Sequence, residues 1–114
     1  VEACEAYGGL DWLAPEIAVL TSLDPDHLDH HGTEEALREA FLSFVDRTTG
    51  TVVWSADDPV ARARIPGRGA LRAQRPFSAG GAPAAIRAET IAVSPDGARF
   101  TLRDGEHATP VRLR

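Results

Sequence analysis

The chain has 114 residues, 43% of them hydrophobic and 25% charged, and a net charge of −5. That size suits one small domain or part of a larger one, and the acidic balance argues against a nucleic-acid surface, which needs clustered positive charge. No apolar run approaches the roughly 18 residues of a membrane-spanning helix, so membrane insertion is not expected. All twelve basic side chains are Arg and none is Lys, so these residues cannot supply the lysine of a Walker-type phosphate loop or of a Schiff base.

The chain opens at Val1 with neither Met nor a helix-capping signal and reads as the middle of a polypeptide. Cys4 is the one cysteine, so no internal disulfide is expected; with no basic or His neighbour in sequence, it reads as a small side chain at the end of a strand. Glu2-Ala-Cys-Glu-Ala-Tyr7 runs into the turn signal Gly8-Gly9, and Leu10, Trp12 and Leu13 suit a short irregular segment closed by Pro15. Ile17-Ala-Val-Leu-Thr21 is a continuous apolar run, the pattern of a parallel strand buried on both faces.

The loop that follows, Asp24-Pro-Asp-His-Leu-Asp-His-His-Gly32, is dense in Asp and His. It sits where an open parallel sheet binds ligands, beyond the carboxyl end of a strand. Thr33 is an N-cap, Glu34 and Glu35 suit the positive end of a helix, and Leu37, Phe41, Phe44 and Val45 recur at helical spacing. A helix over 34–47 follows, ended by Thr48-Thr-Gly50. Thr51-Val-Val-Trp-Ser55 reads as a second buried strand, and Ala56-Asp-Asp-Pro59 leads into a short helix over about 59–65, with Pro59 in its first turn. Strand, loop, helix, strand, helix is the order of an α/β fold with parallel strands.

Beyond Pro66-Gly67 the character changes. Residues 70–74 suit one more strand and 76–83 a loop. Residues 84–93 and 99–102 flank the turn Ser94-Pro-Asp-Gly97, and Val111 to Leu113 suit a third strand after the turn at Asp104-Gly105. The expected architecture is therefore an α/β part over 1–75, mostly parallel with flanking helices, followed by an antiparallel β meander over 76–114.

Three of the four His lie between His27 and His31. His27 and Asp29, with Glu2 and Glu5 elsewhere, are candidates for a divalent cation, although oxygen ligands favour Mg²⁺ and imidazole favours transition metals. The alternative is a solvated loop capping the next helix. A metallo-hydrolase motif of the His-x-His-x-Asp-His type is matched only in part, because Pro25 stands at its first His position and His107 is the one distant ligand on offer. Asp57-Asp58-Pro59 has the form of helix capping by a carboxylate.

Taken in order, these segments resemble the central, ATP-binding domain of the Mur ligases. The family's acidic string at a strand end, Glu-Ala-Asp-Glu-Ser-Asp, stands here as Glu2-Ala-Cys-Glu-Ala-Tyr7. Its Pro-Asp/Glu-Val/Ile-Ala-Val-Val-Thr-Asn strand is Pro15-Glu-Ile-Ala-Val-Leu-Thr-Ser22, and its Glu-x-Asp-His-Leu-Asp-x-x-Gly loop is Asp24 to Gly32. A Phe-x-x-Phe pattern at Phe41 to Phe44, Ala56-Asp-Asp-Pro59, Phe77-Ser78 and the β tail from Ser94 to Leu102 complete the series. The alanine-adding members are the nearest. The D-glutamate-adding members share the His27 to Gly32 string but carry a Lys, which becomes carbamylated, where this chain has Arg38-Glu-Ala-Phe41.

The resemblance implies a P-loop-type α/β fold in a cytoplasmic ligase of peptidoglycan-precursor and cell-wall synthesis. It implies ATP and Mg²⁺ as cofactors and UDP-N-acetylmuramate and L-alanine as substrates. Glu2 and His27 fall at the Mg²⁺-binding, catalytic positions, Glu5 at a substrate-contacting one, and Asp26 and Asp29 are loop-shaping groups behind the ligands. The phosphate loop, the UDP-binding domain and the amino-acid-binding domain are expected outside this chain, leaving it inactive alone and, with an open sheet edge, poorly soluble or partly unfolded. Cys4, Ala6, Tyr7 and Ser22 depart from the family pattern, which leaves a non-catalytic remnant as the alternative.

Overall fold

The computed structural model describes residues 9–24, 32–68 and 73–114. Six strands form one mixed sheet in the order in which they occur: β1 (Ile17–Leu20), β2 (Thr51–Ser55), β3 (Ala73–Ser78), β4 (Ile86–Ser94), β5 (Gly97–Asp104) and β6 (His107–Leu113). The first four run parallel, β3 meeting β4 only at Phe77 and Ser78, and the last three form an antiparallel meander. The expected α/β sheet with a terminal meander is the fold observed.

Helix α1 (Glu34–Arg47) connects β1 to β2, and helix α2 (Pro59–Arg64) follows β2. Both start as the sequence dictates. The Thr33 hydroxyl accepts the Ala36 N–H at 3.1 Å, with Glu34 and Glu35 in the first turn of α1. Asp58 caps α2, whose first residue is Pro59. At the other end of α1, the buried Thr48 turns its hydroxyl back to the Phe44 carbonyl at 3.1 Å, and the next turn docks on the start of β1 through Gly50 N–H to Glu16 O.

The core is one-sided. Ala18 and Leu20 of β1 and Val52 and Trp54 of β2 pack with Leu42, Phe44 and Val45 of α1 and with Ala61 and Ile65 beside α2. Ile17 and Val19, on the opposite face, are 62% and 61% exposed. The apolar run 17–21 predicts burial on both faces; the structure buries one, because both described helices lie on the same side of the sheet. Ahead of β1, Leu10 is buried and its carbonyl is held by Arg47 at 2.7 Å, while Trp12 points into solvent.

β3 also differs from expectation. It runs from Ala73 to Ser78, taking in the first three residues of the stretch 76–83 that reads as a loop, while 79–83 is a loop as expected. Pro76 lies in register with Trp54, but Phe77 is the residue that bonds to β2, its carbonyl accepting the Ala56 N–H, and β4 pairs only from Phe77 onward, so the missing N–H of Pro76 costs no ladder bond. Gln74 anchors this strand to α2, its side-chain amide donating to the carbonyls of Ile65 and Arg68 at 3.1 and 2.8 Å.

The meander is held differently. Its registers are long, Ala98 to Asp104 of β5 matching Leu113 to His107 of β6. Among the described residues, however, no side chain of β4, β5 or β6 belongs to the buried core. Ion pairs join the strands instead: Arg103 to Glu89 at 2.8 Å and Arg75 to Asp104 at 2.5 Å. The register slips between Glu89 and Ala92, at a bulge where Thr90 takes a φ of 53°.

Candidate functional site

In a sheet of this kind the carboxyl ends of the parallel strands are where ligands bind. Three segments leave that edge: 21–24 after β1, 56–58 after β2 and 79–85 after β3. The adjacent carboxylates of Asp57 and Asp58, at the end of the central one, tie all three together.

Asp58 faces α2 and β1. Its Oδ1 accepts the Val60 and Ala61 N–H groups at 2.7 and 2.9 Å, which is the helix cap. Its Oδ2 accepts the N–H of Leu23 at 2.5 Å, 35 residues away in sequence. The Leu23 side chain is 1% exposed, so both its backbone and its side chain are fixed. Asp58 itself is buried, and every oxygen of its carboxylate has a partner.

Asp57 faces the other way. Its Oδ1 accepts the Ser78 hydroxyl at 2.6 Å, and its Oδ2 accepts the N–H groups of Ala79 and Gly80 at 2.8 Å each. A longer contact from Ala82 N–H, at 3.4 Å, closes the turn, and the Ser78 oxygen in turn accepts Gly81 N–H at 2.9 Å. A Cβ at Gly80 would stand 3.1 Å from the Asp57 carboxyl carbon, so a side chain there would have to push the carboxylate back by a few tenths of an ångström. The Ser78 hydroxyl, then the Gly80 and other backbone N–H bonds, favour the charged form and lower the Asp57 pKa to about 2 against the opposing effect of burial.

Capping by a carboxylate is therefore the role of Asp58, while Asp57 caps no helix and holds the β3–β4 turn. The sequence points to Asp57-Asp58 as a unit but gives no sign of the bonds to Leu23 or to 78–82, which join residues 21 to 35 positions apart.

The candidate cation and substrate residues Glu2, Glu5 and His27 lie outside the described residues, as do Asp26, Asp29, His30, His31, Cys4 and Tyr7. In the sequence, β1 leads through Leu23 and Asp24 into the string that contains His27. Among the described residues no group of three His, Cys, Asp or Glu could hold a metal ion. Ser22, which departs from the resemblance, lies in the exposed segment after β1. A shallow cleft of about 330 Å³ lies elsewhere, on the meander, lined by Thr90, Phe100, Val111 and Arg112 among others.

No helix among the described residues is long and apolar enough to cross a membrane. The sequence profile described as the Mur ligase middle domain matches residues 3–114. The UDP-N-acetylmuramate–L-alanine ligase of Novosphingobium aromaticivorans is 37% identical over 112 residues, covering 92% of this chain and 23% of that protein. Among solved structures, MurF from Acinetobacter baumannii has a TM-score of 0.76 at 20% identity, over 96% of this chain and 25% of its own. MurF ligase from Thermotoga maritima, in complex with ADP, has a TM-score of 0.69 at 21% identity, over 93% of this chain and 24% of its own. At such identities the structural likeness speaks for the fold alone. The chain spans a quarter or less of the length of these relatives. A profile match over nearly every residue, on a sheet of the same topology, establishes that the chain belongs to the Mur ligase family, within its middle domain.

Proposed function

We propose that the full-length protein is an ATP-dependent, amide-forming ligase of peptidoglycan-precursor synthesis that joins L-alanine to UDP-N-acetylmuramate in the cytoplasm. The observation that carries this reading is the identity to an alanine-adding ligase along 112 residues, which includes the strings at Asp24–Gly32 and Ala56–Pro59. Arg38 supports the alanine-adding type. It stands in the helix where the D-glutamate-adding type carries its Lys, it is engaged with Glu34 at 2.8 Å, and a guanidinium cannot take a carbamate.

In this reading the carboxylate of the nucleotide sugar takes the γ-phosphoryl group of ATP to give an acyl phosphate. The amine of alanine adds to it through a tetrahedral intermediate, and phosphate leaves. Both reacting partners are anionic, so Mg²⁺ between them supplies the charge neutralisation that the transfer needs. Glu2 and His27 would hold that ion, and Glu5 would contact substrate. The triphosphate cradle would come from a part of the protein outside these residues, since no Lys is present here.

The test is phosphate release by the full-length protein with ATP, Mg²⁺ and UDP-N-acetylmuramate. Release that requires L-alanine is the expected result. Release driven by D-glutamate instead would change the subtype. No release with any amino acid would favour the non-catalytic remnant, whose motive is Cys4, Ala6 and Tyr7 in place of the family's carboxylates and hydroxyl.

A further inference from the structure

A helix cap needs one acceptor oxygen, and Asn or Ser serves as well as Asp. Asp58 has a second task. While Oδ1 caps α2, Oδ2 holds Leu23 N–H, and only a carboxylate offers two acceptor oxygens for both. Asp57 shows the same economy. Both of its oxygens accept, from the Ser78 hydroxyl and from the N–H groups of Ala79 and Gly80, and an amide in its place would turn a donor toward a donor. The two side chains are adjacent in sequence and reach in opposite directions along one sheet edge.

We propose that Asp57 and Asp58 form a two-way clip, Asp58 positioning the segment that leaves β1 and Asp57 the turn that leaves β3, so that both act as positioning residues for the ligand-binding edge. The proposal rests on the ligase reading for its consequence in catalysis. Leu23 is four residues before His27, so the Asp58 bond fixes the start of the segment that would carry a Mg²⁺ ligand. Backbone N–H groups gathered as they are at 79–82 commonly bind a phosphate. Here the Asp57 carboxylate fills that nest, which makes it a structural joint and not an anion site.

The test uses Asp58→Asn and Asp57→Asn in the full-length protein. Asp58→Asn keeps one oxygen for the α2 cap and removes the acceptor for Leu23. Its expected signature is amide exchange at Leu23 faster by about 10-fold or more, with Val60 and Ala61 still protected. The Mg²⁺ concentration for half-maximal ligase rate should rise on the order of 10-fold, with kcat at saturating Mg²⁺ much less affected. Asp57→Asn should speed exchange at Ala79 and Gly80 and leave Leu23 unchanged. If Asp58→Asn does not fold, Asp58→Ser retains a capping hydroxyl too short to reach Leu23 and is read the same way.

Unchanged exchange at Leu23 would overturn the clip. Faster exchange with an unchanged Mg²⁺ requirement would overturn its positioning role. A wild-type protein without ligase turnover would sink the ligase reading and the catalytic consequence with it, while the exchange data would still decide whether the clip exists.

Discussion

The parallel half of the sheet and the meander are built on different physics. In the first, twelve buried apolar side chains among the described residues between 10 and 65 form one cluster, and the carboxyl edge is cross-linked by Asp57 and Asp58. In the second, β4 to β6 pair in long registers broken by one bulge, yet none of their side chains is buried, and Val93 and Leu113 are exposed. Burial, at about 25 cal/mol per Å² of apolar area, holds the parallel half, and the backbone ladder with surface ion pairs holds the meander. Substitutions should therefore separate the two.

The largest loss of stability is expected in the α1 core. Leu42→Ala, at a residue 1% exposed, should cost about 2–5 kcal/mol and lower the thermal midpoint of the full-length protein accordingly. A loss under about 1 kcal/mol would mean that α1 is not packed on the sheet as described. Asp58→Ala comes next. It removes a cap worth about 1 kcal/mol and leaves the buried Leu23 N–H without its partner, for about 2–3 kcal/mol together by denaturant unfolding. A cost equal to that of the cap alone would show that the Leu23 bond contributes nothing.

Acid should act on the parallel half through Asp57. Its pKa is lowered in the fold, from 3.8 to about 2, so the folded state binds this proton less readily than the unfolded one. Its contribution is fully present above about pH 3.8 and is lost as pH falls toward 2. Because the group is exposed, the effect is small. Comparing wild type with Asp57→Asn between pH 5 and pH 2 isolates it, and parallel pH profiles would count against the bonds to Ser78 and Gly80. The smallest effect is expected in the meander, where Val93→Ala, at a residue 80% exposed, should stay within about 0.5 kcal/mol of wild type. A loss of 2 kcal/mol there would mean that the face carrying Val93 is covered in the full-length protein.

Local signals in the sequence carry most of the fold. Thr33 with Glu34 and Glu35 marks α1, Pro59 marks α2, and Ser94-Pro-Asp-Gly97 marks the β4–β5 turn. What fails is what depends on neighbours far along the chain. Ile17 to Leu20 is apolar throughout, so the run does not say which face the helices cover. Pro76 opens the stretch that reads as a loop, but β3 accepts it at a position that spares its missing N–H. The Thr90 bulge follows no turn residue. The candidate site divides the same way. Glu2, Glu5 and His27 are proposed from the order of the motifs and lie outside the described residues, whereas the bonds of Asp57 and Asp58 to Ser78 and Leu23 appear only once the sheet brings the strand ends together.

In the ligase reading proposed above, the carboxyl edge of the parallel strands is the working edge. That reading is tested most directly by kcat at saturating Mg²⁺ for Glu2→Ala and His27→Ala in the full-length protein, beside their thermal midpoints. A fall in kcat of about 100-fold or more with almost no change in stability is expected. Unchanged kcat in both variants would contradict it.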